Sequence, residues 1–307
     1  MVEETNHIST KGQVLMNDPY PRWKRVFWML MAGLVMFMIG KAVLPELLVA
    51  GKEGVAIVRV EGPIMDSSQT VEELQTFADD PLVKAIVVRI DSPGGGVAPS
   101  QEIYNAVKRV RKEQNKTVVA SMGTVAASGG YYIAVATDRI LANPGTLTGS
   151  IGVIMQMANF QELLEKIGVK SVVVKTGKFK DLGSPFRPMV EEDRQLLESV
   201  MNDTLSQFIE AVADGRSMDS AEVEQLADGR VFTGRQAKSV LLIDEIGDLH
   251  DAINLAGELS GIEGTPRVLE TTKPFSFQEF LESTFLGDVR SLAPSRFSAP
   301  LLYLWVL

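Results

Sequence analysis

The 307-residue sequence contains no cysteine and only two histidines, His7 and His250. Without cysteine the chain can form no disulfide, no thiolate nucleophile and no thiolate metal site, although this absence does not fix the cellular compartment. Two histidines are very few for a histidine-based catalytic triad or for a zinc site built on several histidines. His7 lies in a polar N-terminal tail, and His250 lies among acidic residues, a pattern typical of a solvated helix face. We therefore expect neither a metal nor a cofactor.

The chain also lacks an excess of positive charge. Its 30 lysines and arginines are outnumbered by 39 acidic residues, so the formal net charge is -9. A general nucleic-acid binder needs clustered basic residues to meet phosphates, so we expect no nucleic-acid partner. The apolar fraction of 45% and charged fraction of 22% are typical of a folded globular protein. At about 150 residues per domain, the length allows one large domain or two small ones.

One long apolar run is present near the N-terminus. At about 1.5 Å per residue, residues 26–44 cover about 28 Å, against a hydrocarbon core of about 30 Å. Basic residues within 22–25 precede the run. The pattern predicts an uncleaved single-pass anchor in the inner or plasma membrane, with residues 1–25 in the cytoplasm and the rest on the extracytoplasmic side. A cleaved signal peptide and a buried core helix are the alternatives.

From residue 54 onward, strand-like runs rich in Val and Ile alternate with helix-like patterns. Strands are predicted at residues 55–62, 85–91, 117–122 and 171–175, and helices at a capping box of Thr70 with Glu73, from Ser100, and over 190–214. This alternation is typical of an α/β fold with parallel strands and helices outside them. We predict one catalytic domain over residues 54–262 and a less regular C-terminal extension over 263–307.

The chain ends in the apolar sequence PLLYLWVL, residues 300–307. Eight residues are too few to span a bilayer. Three placements remain open for this tail: a final strand or turn on the chain's own core, a contact with a neighbouring subunit, or the lipid interface, reached through Tyr303 and Trp305.

Two glycine-rich clusters each follow a predicted strand. In DSPGGG, residues 91–96, successive glycines let the backbone turn with its N–H groups exposed; a phosphate-binding turn, a plain loop and an oxyanion-hole turn all fit. In AASGGYYIA, residues 126–134, Ser128 lies at a strand-to-helix junction between small residues. The N–H of Gly129 would lie in the first helical turn, where the helix dipole favours a developing oxyanion. Close helix packing explains these small residues equally well.

A third cluster, TLTGSIG at residues 146–152, precedes a lysine-containing segment, KTGKFKDLGSP at residues 175–185. Lys–Ser pairs are a known variant of the catalytic triad. A lysine acts as a base only when neutral, so burial must lower its pKa from about 10.4. Most lysines are solvated surface residues. The residues alone therefore indicate a candidate serine nucleophile and oxyanion donors, with no usable histidine.

The motifs DSPGGG, ASGGYYIA, ANPGTLTGSIGV, TGKFKD and GRVFTGRQA occur in this order between residues 54 and 259. Together they resemble the signal peptide peptidase A family of bacterial membrane serine proteases, in its short single-copy form. The resemblance implies a Clp-protease and crotonase type of fold, a ββα spiral. One departure is the pair Leu241 and Leu242, where the family usually has Gly-Leu; it weakens the inference about subunit packing and leaves the chemistry untouched.

The resemblance implies a role for each site residue. Ser128 would be the nucleophile and Lys180 the general base, with Ser150 orienting that lysine. The N–H groups of Gly95 and Gly129 would form the oxyanion hole.

The resemblance also implies homo-oligomeric rings in which the Ser and Lys of one site come from neighbouring subunits. Members of the family digest remnant signal peptides inside or beside the membrane, so peptides and lipid are the expected partners. The alternatives are a relative that trims one specific membrane protein, a crotonase-type enzyme acting on thioesters, and an inactive scaffold of the same fold.

Overall fold

A computed structural model describes residues 22–49, 53–271 and 302–304. The chain divides into two compact units, Met1–Lys52 and Glu53–Leu307. His7, most of the predicted cytoplasmic tail and most of the C-terminal extension lie outside the described residues, and the predicted domain boundaries stay predictions.

The first unit contains one described helix, α1 (Arg22–Val49), which includes the predicted anchor. Large apolar side chains between Val26 and Met38 are exposed. Within the part of the chain that the structure describes, no helix meets the length and hydropathy needed to cross a membrane. The transmembrane anchor predicted at residues 26–44 rests on the apolar run alone, and this result does not support it.

The second unit is an α/β structure. Its strands are β1 (Gly54–Glu61), β2 (Val83–Ser92), β3 (Gly94–Gly96), β4 (Thr117–Ala127), β5 (Arg139–Ala142), β6 (Leu147–Gly149), β7 (Val231–Thr233), β8 (Glu245–Ile246), β9 (Arg267–Glu270) and β10 (Leu302–Leu304). Its helices are α2 (Ser68–Asp79), α3 (Val97–Lys112), α4 (Gly129–Ala134), α5 (Gln161–Lys166), α6 (Glu191–Arg216), α7 (Ser220–Leu226), α8 (Gly234–Ser239) and α9 (Leu249–Leu259).

The main sheet has the order β7-β6-β4-β2-β1-β9, and β5 pairs with β4 and β8. All these pairs are parallel except β6 with β7, as expected for strands joined by crossover helices. Alternate residues of β1, β2 and β4 belong to apolar clusters on opposite faces of the sheet, and α9 covers one of these faces. Burial on both faces explains why these strands read as continuous runs of Val, Ile and Ala. The predicted α/β fold is confirmed.

Three local predictions are wrong. Helix α2 begins at Ser68, where the Asp66 carboxylate accepts the Ser68 N–H (2.9 Å), so Thr70 lies inside the helix and caps nothing. Helix α3 begins at Val97, and the hydroxyl of Ser100 donates to the carbonyl oxygen of Gly96 instead (2.8 Å). Residues 171–175 form no strand: this valine-rich segment is exposed, and β-propensity produces a strand only where a partner strand offers a ladder.

The register of the sheet brings the carboxyl ends of three parallel strands together. Ser92 at the end of β2 pairs with Ala126 of β4, and Ala127 pairs with Gly149 at the end of β6. The three glycine-rich clusters therefore meet at one edge of the sheet, which is the usual position of ligand sites in α/β folds.

The C-terminal tail contributes β10, which pairs with β3 in antiparallel orientation. Of the tail, the structure describes residues 302–304, which form a strand on the chain's own β3; the other residues of 300–307 lie outside the described part of the chain, and the three placements stay predictions.

Candidate active site

Ser128 occupies the one-residue corner between β4 and α4. Its backbone angles are φ 54° and ψ -116°, and it is only 1% exposed. A positive φ is costly for a residue with a Cβ, so neighbouring groups must hold it in place. The Ser128 N–H donates to the carbonyl oxygen of Gly149 (2.8 Å), and its carbonyl oxygen accepts the N–H of Tyr132 (2.8 Å). Such a strained strand-to-helix turn is the geometry of a nucleophile elbow.

The residues after Ser128 explain how the corner is packed. A Cβ on Gly130 would lie 3.1 Å from the carbonyl oxygen of Ser92, so glycine lets α4 approach the end of β2 closely. The phenol of Tyr131 donates to the carbonyl oxygen of Leu242 (2.8 Å) inside the core. The ring of Tyr132 packs against Phe208 with ring centroids 5.0 Å apart. Small residues thus permit the turn, and two buried tyrosines anchor the short helix that follows it.

The side chain of Ser128 makes no capping hydrogen bond to α4. As the first residue of that helix, Gly129 has an N–H without an intrahelical acceptor. The hydroxyl and this N–H therefore lie at the same helix end, as the predicted nucleophile and oxyanion donor would require.

Gly95 is the middle residue of β3. One edge of this strand is paired with Ile64. The Ile64 N–H donates to the carbonyl oxygen of Gly94 (2.9 Å), and the Gly96 N–H donates to the carbonyl oxygen of Ile64 (2.7 Å). Because backbone groups alternate along a strand, the N–H of Gly95 points to the opposite edge. A Cβ on Gly95 would collide with the Ile64 backbone. Only glycine fits at this position.

Asp91 and Ser92 tie the first two glycine-rich clusters together. The Asp91 carboxylate accepts the N–H of Val125 in β4 (3.1 Å), and the buried Ser92 hydroxyl accepts the N–H of Gly94 (3.1 Å). The pattern DSPGGG contains both residues, but sequence reasoning did not assign them a role. Polar residues at the end of a buried strand were the available signal.

Ser150 lies beside Ser128, because each follows one member of the paired residues Ala127 and Gly149. It is buried and also has a positive φ, 49°, and its N–H donates to the carbonyl oxygen of Arg230 (2.8 Å). The structure thus brings Ser128, Gly129 and Ser150 together at the sheet edge where β3 and Gly95 also follow β2. Their catalytic roles stay predictions.

Lys180 is not part of this buried group. It lies in an exposed turn, where its N–H donates to the carbonyl oxygen of Gly177 (3.2 Å). Within the described residues, its side chain has no hydrogen bond or ion pair, to Ser128 or to any other group. Within one copy of the chain, Lys180 and Ser128 are therefore not hydrogen-bonded to each other, and their predicted pairing stays a prediction.

The turn that carries Lys180 is held by charged side chains. The Asp181 carboxylate accepts a hydrogen bond from Lys175 (2.7 Å) and two from the Arg187 guanidinium (3.0 and 3.1 Å). Arg187 also pairs with the buried Asp193 near the start of α6. Hydrogen bonds from Arg187, and then from Lys175, lower the pKa of Asp181 to about 2. The same network raises the pKa of Arg187, with Asp193 contributing most.

We name these four residues, Lys175, Asp181, Arg187 and Asp193, the charge network. Sequence reasoning missed it because its members are six residues apart, which does not match the helical period of 3.6, and because the segment forms no strand between Lys175 and Arg187. A run of alternating charge signs at residues 175, 181, 187 and 193 was the only signal.

The segment around the charge network exposes much apolar surface. Helix α5 has no buried residue, and Val172 and Val174 are 86% and 96% exposed. Further large apolar side chains of this segment are exposed: Ile154, Met157, Phe160, Leu163, Ile167, Val169, Val173, Phe179, Phe186, Met189 and Val190. So many exposed large apolar side chains within one segment favour an interaction surface.

Family models match most of the second unit. The model described as Clp protease matches residues 54–146, and that described as Peptidase family S49 matches residues 110–263. The parallel sheet with a strained serine at its carboxyl edge, together with these matches, defines a serine protease of the Clp-like α/β class.

Relatives agree with this class. A protein named as a protease in Synechocystis sp. is 40% identical over 222 residues, which are 72% of this chain and 79% of the relative. A protein named as a signal peptide peptidase SppA in Enterococcus faecium is 39% identical over 182 residues, which are 59% of this chain and 53% of the relative. Protease 4 of Salmonella typhi is 34% identical, covering 80% of this chain and 41% of the relative. The chain belongs to peptidase family S49, the signal peptide peptidase A family.

Proposed function

We propose that this protein is an endopeptidase that degrades remnant signal peptides by a Ser–Lys acyl-enzyme mechanism. The observation that carries the proposal is the buried, positive-φ corner at Ser128, with Ser150 beside it and the helix-start N–H of Gly129 next to it. Strain of this kind persists only where the surroundings hold it, and it clusters at active sites.

The proposed reaction uses Lys180 as a neutral base. Its amine takes the hydroxyl proton of Ser128 as Oγ attacks the peptide carbonyl carbon, and the N–H groups of Gly95 and Gly129 hold the resulting oxyanion. Cleavage of the C–N bond leaves an acyl ester on Ser128, and the amine product leaves with the proton from Lys180. Lys180 then takes a proton from water as the water oxygen attacks the ester, and it returns this proton to Ser128 Oγ as the ester C–O bond breaks and the acid is released.

The exposure of Lys180 supports a site shared between two copies of the chain. A lysine acts as a base only when it is neutral, which requires removal from water. An interface formed by the apolar segment around the charge network would bury Lys180 against a neighbouring Ser128, as the family resemblance implies. We therefore propose a homo-oligomeric ring with its sites at subunit interfaces.

Action at the cytoplasmic membrane is a further part of the proposal, with the protease domain on the extracytoplasmic side. Its support is the row of exposed apolar side chains on α1, including Trp28 and Met36, and the family resemblance. Extraction of membranes with carbonate and then with detergent tests it. Recovery of the protein in the carbonate wash would contradict integral attachment.

The central test is hydrolysis of a fluorogenic apolar peptide by wild type and by Ser128→Ala. We expect the variant to lose at least about 10³-fold in kcat while remaining folded, because it lacks the nucleophile. Ser121→Ala is the matched control, since Ser121 is equally buried but lies within β4, away from the corner that Ser128 occupies. Retained turnover in Ser128→Ala would contradict the proposal.

Two parallel assays separate the alternative functions. Hydrolysis of an acyl thioester in place of the peptide would favour a crotonase-type enzyme, and no hydrolysis of either would favour an inactive scaffold. Cleavage of one membrane protein, with apolar peptides left intact, would favour a dedicated trimming protease.

A further inference from the structure

Strand β4 changes its neighbour along its length. Residues 119–122 pair with β5, whereas the last three residues, Val125–Ala127, pair with β6. Ser128 follows directly, so the part of β4 beside β6 is the part that carries the candidate nucleophile. Whatever fixes this change of neighbour therefore also fixes the position of Ser128.

The change occurs at an irregularity in the ladder between β2 and β4. Ile90 pairs with Met122, but Ser92 pairs with Ala126. Asp91 alone therefore lies opposite residues 123–125 of β4, which we call the β4 bulge. A bulge bends the strand that contains it, and bulges are frequent beside active sites, where they redirect a side chain.

The bulge adds two residues to β4 and so sets how far Ser128 lies along the sheet. At about 3.3 Å per residue, Ser128 would lie roughly 7 Å further from the end of β2 without them. Because side chains alternate along a strand, an even number of extra residues leaves its two faces unchanged. Met122 before the bulge and Ala126 after it do belong to the same buried cluster. The bulge thus draws Ser128 back towards the end of β2, from which Gly95 follows, without disturbing the core.

Two side chains from neighbouring parts of the sheet hold this bulge. The Asp91 carboxylate in β2 accepts the N–H of Val125 (3.1 Å), and the buried Thr146 hydroxyl, directly before β6, donates to the carbonyl oxygen of Gly123 (2.7 Å). Backbone groups away from water need such partners, and a bulge disrupts the ladder that would supply them. A Cβ on Gly123 would lie 2.8 Å from the Asp91 carboxyl carbon, so glycine lets the carboxylate reach across the strand.

We propose that Asp91 and Thr146 are positioning residues of the active site, which fix the place of Ser128 through the β4 bulge. Asp91 belongs to the strand that leads to Gly95, and Thr146 directly precedes the strand that leads to Ser150. The two bonds therefore set the nucleophile against both of the groups with which it would act. This inference rests on the proposed function, since it concerns the same nucleophile.

Hydrolysis of the apolar peptide gives the first test. Asp91→Ala leaves the Val125 N–H without its acceptor, and it should lower kcat between about 10- and 100-fold with little change in KM, because misplacement by about 1 Å costs that much. Asp91→Asn keeps an acceptor oxygen in the same place and should stay within about threefold of wild type. If Asp91→Asn lost as much activity as Asp91→Ala, the bond to the bulge would not be the cause and the proposal would be overturned.

Hydrogen exchange at single amides tests the positioning without catalysis. In Asp91→Ala, the N–H of Ser128, which donates to Gly149, should exchange roughly tenfold faster or more, because the loosened bulge frees the corner. Faster exchange at Val125 with an unchanged rate at Ser128 would overturn the proposal, even if wild type hydrolyses peptides. Faster exchange at Ser128, with no hydrolysis by wild type, would leave the positioning role standing and contradict the proposed mechanism.

Asp138→Ala is the matched control, because Asp138 makes the same kind of bond at the other end of β4. Its carboxylate accepts the N–H of Val118 (2.8 Å) and pairs with Arg111. This variant should lower Tm at least as much as Asp91→Ala but leave kcat and the exchange of Ser128 unchanged. An equal loss of kcat in both variants would show that any weakening of β4 suffices, and the proposal would fail.

Variants that leave Asp91 in place cover the case in which Asp91→Ala does not fold. Thr146→Val removes only the hydroxyl that holds the Gly123 carbonyl, whereas Thr146→Ser keeps it. Thr146→Val should lower kcat roughly tenfold and speed the exchange of Ser128, and Thr146→Ser should restore most of both. If Thr146→Val matches wild type in both measurements, the hydroxyl does not position Ser128 and the proposal fails.

Discussion

The two halves of the proposed dyad lie in opposite surroundings. Ser128 is buried directly after the mostly buried strand β4, and backbone hydrogen bonds to Gly149 and Tyr132 hold its unusual conformation. Lys180 lies in an exposed turn that the charge network braces and that contributes no residue to the main sheet.

This difference shows which half is complete in one chain. The serine half draws on close packing and on hydrogen bonds shielded from water, so a single copy suffices for it. The lysine half is held by pairs of charges near solvent, which orient the turn without removing its lysine from water. In the proposed shared site, a neighbouring copy supplies the missing burial.

The largest effect expected is the loss of the base. Lys180→Ala should lower kcat by at least about 10³-fold, because dyad members act as a unit. Lys178→Ala is the control, since Lys178 forms an exposed ion pair with Glu192. Lys175→Ala should be intermediate, because Lys175 belongs to the charge network. Full activity in Lys180→Ala, with loss in Lys178→Ala, would show that the base is assigned wrongly.

Mixing inactive variants tests whether the two halves come from different copies. Ser128→Ala and Lys180→Ala subunits, unfolded and reassembled together, should recover up to about one quarter of wild-type activity, because random ring neighbours pair an intact Ser128 with an intact Lys180 that often. Each variant reassembled alone is the control. No recovery in a mixed assembly of normal size would contradict a shared site.

The next effect concerns Gly95 in β3. Gly95→Ala should destabilise the protein by about 1–3 kcal/mol and abolish activity, because the added Cβ must displace the Ile64 backbone. Gly145→Ala is the control, since nothing lies within 4 Å of its Cβ position. Thermal unfolding and peptide hydrolysis are measured together, and an unchanged Tm for Gly95→Ala would contradict the close contact.

A smaller effect is expected from the charge network. Arg187→Ala should lower kcat/KM between about 10- and 100-fold through misplacement of the Lys180 turn, while the main unfolding transition hardly moves. Arg187→Lys keeps the positive charge but loses the bidentate contact with Asp181, so its activity should lie between that of wild type and that of Arg187→Ala. Arg194→Ala, which breaks only exposed pairs with Glu191 and Glu198, is the control. A lowered Tm with unchanged kcat/KM in Arg187→Ala would indicate a purely structural role.

The smallest effect is a pH dependence confined to the lysine half. The pKa of Asp181 is lowered to about 2 in the folded protein. Its pairing with Arg187 and Lys175 therefore stabilises the segment above about pH 4, and this stabilisation is lost as the pH falls towards 2. Hydrogen exchange of residues 175–193, corrected for intrinsic rates, should accelerate over this window before that of β4. Asp181→Asn should weaken this dependence without abolishing it, because a hydrogen bond from Arg187 also lowers the pKa of Asp193. If residues 175–193 and β4 opened together, the pH effect would not be local to the charge network.

The sequence predicted the secondary structure around Ser128 better than that around Lys180. Runs of Val and Ile mark strands buried on both faces, so β1, β2 and β4 and the corner at Ser128 could be located. Residues 171–175 are equally rich in valine but meet no partner strand, so their composition predicted a strand that does not form. The starts of α2 and α3 were also missed, because Asp66 and the glycines before Val97 set them through local contacts.

The sequence alone determined the α/β class, the position of Ser128 between small residues, and the exclusion of cysteine chemistry, because each follows from residue type and short-range pattern. Tertiary structure decided the rest. The positive φ at Ser128 depends on a hydrogen bond to Gly149 of another strand, and the direction of the Gly95 N–H depends on the pairing of β3 with Ile64. Strand β10 pairs with β3, which lies more than 200 residues earlier in the chain. Contacts between residues so distant in the chain leave no periodic trace, so only the folded chain reveals them.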